Sequence, residues 1–167
     1  MLTIAAVAAI VTFGMYITLI TLADKIFEKQ RWDIRSKNTE IILPLRLQAY
    51  ERMCLFLERI TPNQLLLRMS GSATNALEFQ QILLREIREE FNHNLAQQVY
   101  MSDDAWENIK KAVNEVQSLI NQAANDVPAE APANDLARKI FERVIQQDIQ
   151  PCTYALKVVK EEIQRNF

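Results

Sequence analysis

The chain has 167 residues, 49% apolar and 24% charged, which is enough for one sizeable core or for a membrane anchor with a smaller soluble domain. Its 19 basic and 21 acidic residues leave a net charge of −2, which argues against a whole-protein nucleic-acid binder, because phosphate recognition needs a concentrated basic footprint. With only two glycines and five prolines to break the chain, and a composition that favours helix over strand, the expected fold class is all-α.

Residues 2–22, LTIAAVAAIVTFGMYITLITL, carry no charge, and ten of them are Leu, Ile, Val or Phe. As a helix this run extends about 31 Å, which matches the roughly 30 Å hydrocarbon core of a bilayer. Residues 1–23 are therefore predicted to form a transmembrane anchor. A cleaved signal peptide would begin with basic residues and end at a small-x-small site, and ITLADK is a poor one. Lys25, Lys29, Arg31, Arg35 and Lys37 follow the span, so the positive-inside rule puts the N-terminus outside and the remainder in the cytoplasm. Cys54 and Cys152 form no CxxC pair, and as reduced thiols they fit that compartment.

Residues 24–43 read as a juxtamembrane helix and connector, with Ile26, Phe27 and Ile34 near one face. Pro44 fits the first turn of a new helix, 44–60, and Thr61 with Pro62 repeats the device for a short helix over 62–69. On a 100° wheel, Leu45, Ala49, Tyr50, Met53, Cys54, Phe56, Leu57, Ile60 and Leu47 fill an arc of about 200°, interrupted only by Arg46. Such an arc needs at least two neighbours, while Leu55 stands alone on the polar side.

After the break at SGSAT, Asn75 and Glu78 make a capping-box-like start for a long helix to about Val99. Its apolar stripe, Phe79, Leu83, Ile87, Phe91, Leu95 and Val99, advances about 40° at each four-residue step, so different neighbours are expected over its two halves. Ser102 caps the next helix, in which Trp106, Ile109, Val113, Val116, Ile120 and Ala123 follow a 3-4-3-4-3 seam. The short YMS connection makes residues 75–124 a long antiparallel hairpin within a helical bundle over 44–125. Two prolines among alanines and acids predict an extended Pro/Ala linker at 126–134, before a second helical hairpin over 135–167.

No catalytic, cofactor-binding or metal-binding residue is assigned. Glu90 and His93 form a single Glu-x-x-His step, and a di-iron bundle needs two with two further glutamates. The doublets Glu89-Glu90, Asp103-Asp104 and Glu161-Glu162 read as solvated faces, because neighbours on a helix point about 100° apart. No glycine-rich phosphate loop is present.

The segments LPLRLQAYERMCLFLERITPNQLLLR (43–68) and EFQQILLREIREEFNHNLAQQVYMSDDAW (78–106) resemble a family of small bacterial single-pass membrane proteins of unknown function. The resemblance covers about the first 125 residues. It implies a bacterial inner-membrane setting and brings no activity, cofactor or site residue. The expected function is a membrane-tethered helical interaction or scaffold module presenting its bundle to a protein partner or to a second copy. A helical bundle that binds a small molecule or lipid is the alternative.

Overall fold

The computed structural model describes residues 2–147 and 150–166; within these, the side chains of 2–12, 30–39, 147 and 166 lie outside the description. Its elements are all helical: α1 (Leu2–Ile60), α2 (Pro62–Arg68), α3 (Ala76–Asn94), a 3₁₀ segment (Leu95–Tyr100), α4 (Asp103–Asn125), α5 (Ala133–Gln147) and α6 (Pro151–Asn166). The chain divides into two compact units, Met1–Pro44 and Leu45–Phe167.

In the first unit the apolar side chains from Phe13 to Leu22 are exposed, Phe13 and Leu19 at 64%. The threonine hydroxyls within this stretch bond to their own helix. Thr18 Oγ1 donates to the Met15 carbonyl at 2.8 Å, and Thr21 Oγ1 to the carbonyls of Ile17 and Thr18, each at 3.0 Å. Among the described residues no helix is long and apolar enough to cross a membrane. The expected span, 2–22, includes residues 2–12, whose side chains lie outside the described residues.

Pro44 does not open a helix. It lies inside α1, so the connector and helix start expected there are corrected. Proline removes the N–H that would reach the carbonyl four residues back and crowds the preceding turn, yet the sequence 38–43 offers no glycine or second proline at which to stop. The division between the two units nevertheless falls at this residue.

The second unit is organised around α4, which packs against α3, α5 and α6. All six residues of its expected seam are buried, and Ala105, Ala112 and Leu119 form a second buried row at seven-residue spacing. This double stripe makes α4 a centre of the bundle. The arc on α1 is buried at its middle, at Ala49, Tyr50, Met53, Phe56, Leu57 and Ile60, while its edges Leu45 and Leu47 are exposed. Phe91 joins three helices: it stacks on Trp106 of α4 with ring centroids 5.5 Å apart and meets Phe56 of α1 at 5.9 Å.

The α3 stripe is buried at Phe79, Leu83 and Ile87 and half-buried at Phe91, but Leu95 and Val99 are exposed. Among the described residues nothing covers these two side chains; the α-helix ends at Asn94 and tightens into the 3₁₀ segment. The expected long helix to Val99 is thus shortened.

The segment read as an extended spacer does something else. Backbone N–H groups of Ala76 and Leu77 donate to the carbonyls of Ala131 (2.8 Å) and Ala129 (3.1 Å), and Ala133 N–H donates to Thr74 O at 3.3 Å. The first amides of a helix have no partner within it, and here residues 129–131 supply two. Asn75 Oδ1 takes the third, Glu78 N–H, at 2.9 Å, while Glu78 reaches back to the amide of Thr74 at 3.2 Å, closing the box one residue earlier than expected. The cap expected at Thr61 forms no such bond; its hydroxyl donates to Glu58 O at 2.5 Å.

Candidate functional site

Among the described residues of the second unit, Glu162, on α6, is a charged side chain that is only 4% exposed. On α6 it follows Ala155 and Val159 at steps of four and three, which places it on the same buried stripe. Tyr50, one turn after Arg46 on α1, is fully buried and donates its hydroxyl to Glu162 Oε1 at 2.6 Å. Ser102, the N-cap of α4, adds two donors: its amide to Oε1 at 2.9 Å and its hydroxyl to Oε2 at 2.6 Å. The same hydroxyl accepts from Ala105 N–H at 3.2 Å, which caps the helix.

Arg46 closes the cluster from the other side. It donates to the Tyr50 hydroxyl at 3.1 Å and to the Tyr100 carbonyl at 3.3 Å, and its guanidinium lies 5.9 Å from the Tyr50 ring centroid. One hydroxyl therefore relays between a cation and a carboxylate. Burial alone would raise the Glu162 pKa, but hydrogen bonds from the Ser102 and Tyr50 hydroxyls and the Ser102 amide, with the Arg46 charge, hold it below the usual carboxylate value. Burial pushes the Tyr50 phenol up, and the bond to Glu162 adds to this.

Chemically the cluster is a brace. The carboxylate accepts three donors, all from its own fold, and these tie α6 to α1 and to the start of α4. The reading of Glu161-Glu162 as a solvated pair is therefore corrected for Glu162, while Glu161 is exposed. Sequence reasoning assigned no role to Tyr50, Ser102 and Glu162 as a set. Two signals were present: Arg46 interrupting an apolar arc one turn from a tyrosine, and Glu162 continuing the Ala155–Val159 stripe.

Glu90 and His93 do not converge. Glu90 pairs with Arg59, whose Nε lies 2.8 Å from Oε1, and lies 4.0 Å from Arg68; Arg68 also pairs with Glu86, while His93 is exposed. These pairs link α1, α2 and α3 at the surface. Among the described residues no group of three His, Cys, Asp or Glu side chains is placed to hold a metal ion. Cys54 is half-buried and Cys152 buried, both as free thiols; burial pushes Cys152 up to about 12 and also raises Cys54.

A surface cavity of about 510 Å³ runs along α4 to the start of α6, between Asn108, Lys111, Glu115, Gln122, Gln150 and Tyr154. Part of its polar lining is already paired, since Gln122 Nε2 donates to Ser118 Oγ at 3.0 Å.

Comparison with known families gives a match over residues 1–166 to a family described as Family of unknown function (DUF7935). The chain belongs to this family. The match takes in α5 and α6, so it extends past the 125 residues over which the sequence resemblance was drawn. No curated protein and no solved structure matches the chain.

Proposed function

We propose that this chain is a membrane-tethered interaction module: an N-terminal helix in the bacterial inner membrane, N-terminus outside, with the helical bundle in the cytoplasm for a protein partner or a second copy. The observation that carries the reading is the run Phe13–Leu22, where every described side chain is exposed and most are apolar, while Thr18 and Thr21 bond to their own backbone. A solvent without hydrogen-bonding groups requires this of a helix. The adjoining apolar sequence back to Leu2 brings the run to the length of a bilayer core.

A binding role fits the polar chemistry of the bundle better than an enzymatic one. Its buried carboxylate spends its acceptors on Tyr50 and Ser102. The ligand-binding alternative would use the α4–α6 cavity, whose lining mixes Ala112, Leu119, Pro151 and Tyr154 with amide and charged side chains.

Two measurements test the proposal. After an alkaline carbonate wash of membranes from cells expressing the full chain, the protein should remain in the pellet; recovery in the supernatant would refute the tether. Proximity labelling from the C-terminus should mark a reproducible set of cytoplasmic proteins or the chain itself, and labelling no different from an unrelated tethered control would refute the interaction role.

A further inference from the structure

We propose that α1 is hinged at Pro44. The inference concerns the helix itself and stands whether or not the run Phe13–Leu22 lies in lipid. Pro44 lies inside α1. It has no N–H for the carbonyl of Glu40, four residues back, and its ring crowds that carbonyl. Its Cδ also disfavours the helical conformation that Leu43, the preceding residue, adopts. A helix so weakened is held straight by packing or not at all, and proline is one of the few causes of a sharp helix bend.

Packing is missing at this point. Glu40, Ile41, Ile42, Pro44 and Leu45 are exposed, Ile41 at 65%, and Leu43 is half-buried. Two residues after the proline the helix is gripped. Arg46 donates to the Tyr100 carbonyl at 3.3 Å; Ala49, Tyr50 and Met53 are then fully buried, and Tyr50 bonds Glu162 of α6 at 2.6 Å. Pro44 thus stands at the last turn before the bundle takes hold of α1, and the chain divides into its two compact units at the same residue. The hydrogen bond from residue 44 to residue 40, which a bend there would break, is already absent, so neither unit has to unfold for α1 to bend. For a tethered chain, such a hinge lets the bundle meet partners at more than one angle; this use alone rests on the tether.

The test is the distance between two spin labels on the full chain in detergent. Glu28→Cys and Glu58→Cys, both at exposed positions, flank Pro44 and carry the labels in a Cys54→Ser, Cys152→Ala background. With Pro44→Ala added, the distribution should be narrow and centred near ~45 Å, the rise of a straight helix between these positions. With Pro44 in place it should be broader and shifted to shorter distances. Distributions of equal width would overturn the hinge. Amide hydrogen exchange on chains that keep both native cysteines decides the case should the labelled background not fold. Peptides over residues 40–48 should exchange on the order of tenfold faster in the parent chain than in Pro44→Ala, and equal rates would overturn the hinge. Carbonate washing of membranes is a separate readout, so release of the chain into the supernatant refutes the tether and leaves the hinge standing.

Discussion

Replacing Glu162 tests the brace directly. Its carboxylate accepts bonds from Tyr50 and from the Ser102 amide and hydroxyl at 2.6, 2.9 and 2.6 Å. Hydrogen bonds to a charged group contribute about 1.5–3 kcal/mol each and neutral ones about 1 kcal/mol. Glu162→Gln keeps one oxygen, weakens the bonds made to it and sets an amide donor against the Ser102 hydroxyl, while the cost of burying a charge disappears. The net loss should be about 2 kcal/mol. Glu162→Ala leaves the three donors without their acceptor beside a small void, and should cost about 3–5 kcal/mol. Urea unfolding of the full chain in detergent, followed by circular dichroism, measures both. Tyr50→Phe combined with Glu162→Gln should be non-additive by about 0.5–3 kcal/mol, as for residues in direct contact. The sign of the pH dependence follows from the lowered pKa: the Glu162 contribution is fully present above the unfolded value near 4.5 and is lost as pH falls through the lower folded value. Glu162→Gln should flatten that acid limb. A loss below about 0.5 kcal/mol for Glu162→Ala, or strict additivity with Tyr50→Phe, would refute the reasoning.

Three further outcomes follow from the packing. Ile87→Ala, in the buried half of the α3 stripe, should cost about 2–5 kcal/mol, whereas Val99→Ala, 75% exposed, should stay within about 0.5 kcal/mol in the same unfolding assay. Leu55→Glu, at a side chain 56% exposed, should leave helical content and the unfolding midpoint unchanged by circular dichroism; a large loss would show that Leu55 is core. Under native conditions a thiol reagent should modify half-buried Cys54 before Cys152, whose pKa is pushed up to about 12, and the reverse order would contradict the placement of α6.

The parts of the fold legible in the sequence are those set by side-chain period. The middle of the α1 arc, the α4 seam and the caps at Asn75 and Ser102 each need only local spacing, and each is found. What escaped depends on distant partners. Pro44 reads as a helix start locally, yet a helix can absorb one missing N–H when nothing else stops it. Prolines and alanines suggest a spacer, but the carbonyls of Ala129 and Ala131 are fixed by α3 amides more than 50 residues earlier in the sequence. Glu162 shows the same limit for the candidate site. A charged residue on an apolar stripe signals burial only when donors from Tyr50 and Ser102 arrive from other elements, and one helix's pattern does not contain them.

The central claim is that the exposed apolar run of α1 lies in lipid. Flotation of the purified full chain with phospholipid vesicles, compared with Ile17→Asp combined with Ile20→Asp, tests it most directly. Both positions are exposed, so the substitutions leave the packing of the bundle untouched. The parent chain should float with the vesicles and the doubly substituted chain should stay at the bottom of the gradient, because each aspartate in a membrane helix costs about 3 kcal/mol. Equal flotation of the two, or a parent chain that does not float, would contradict the account.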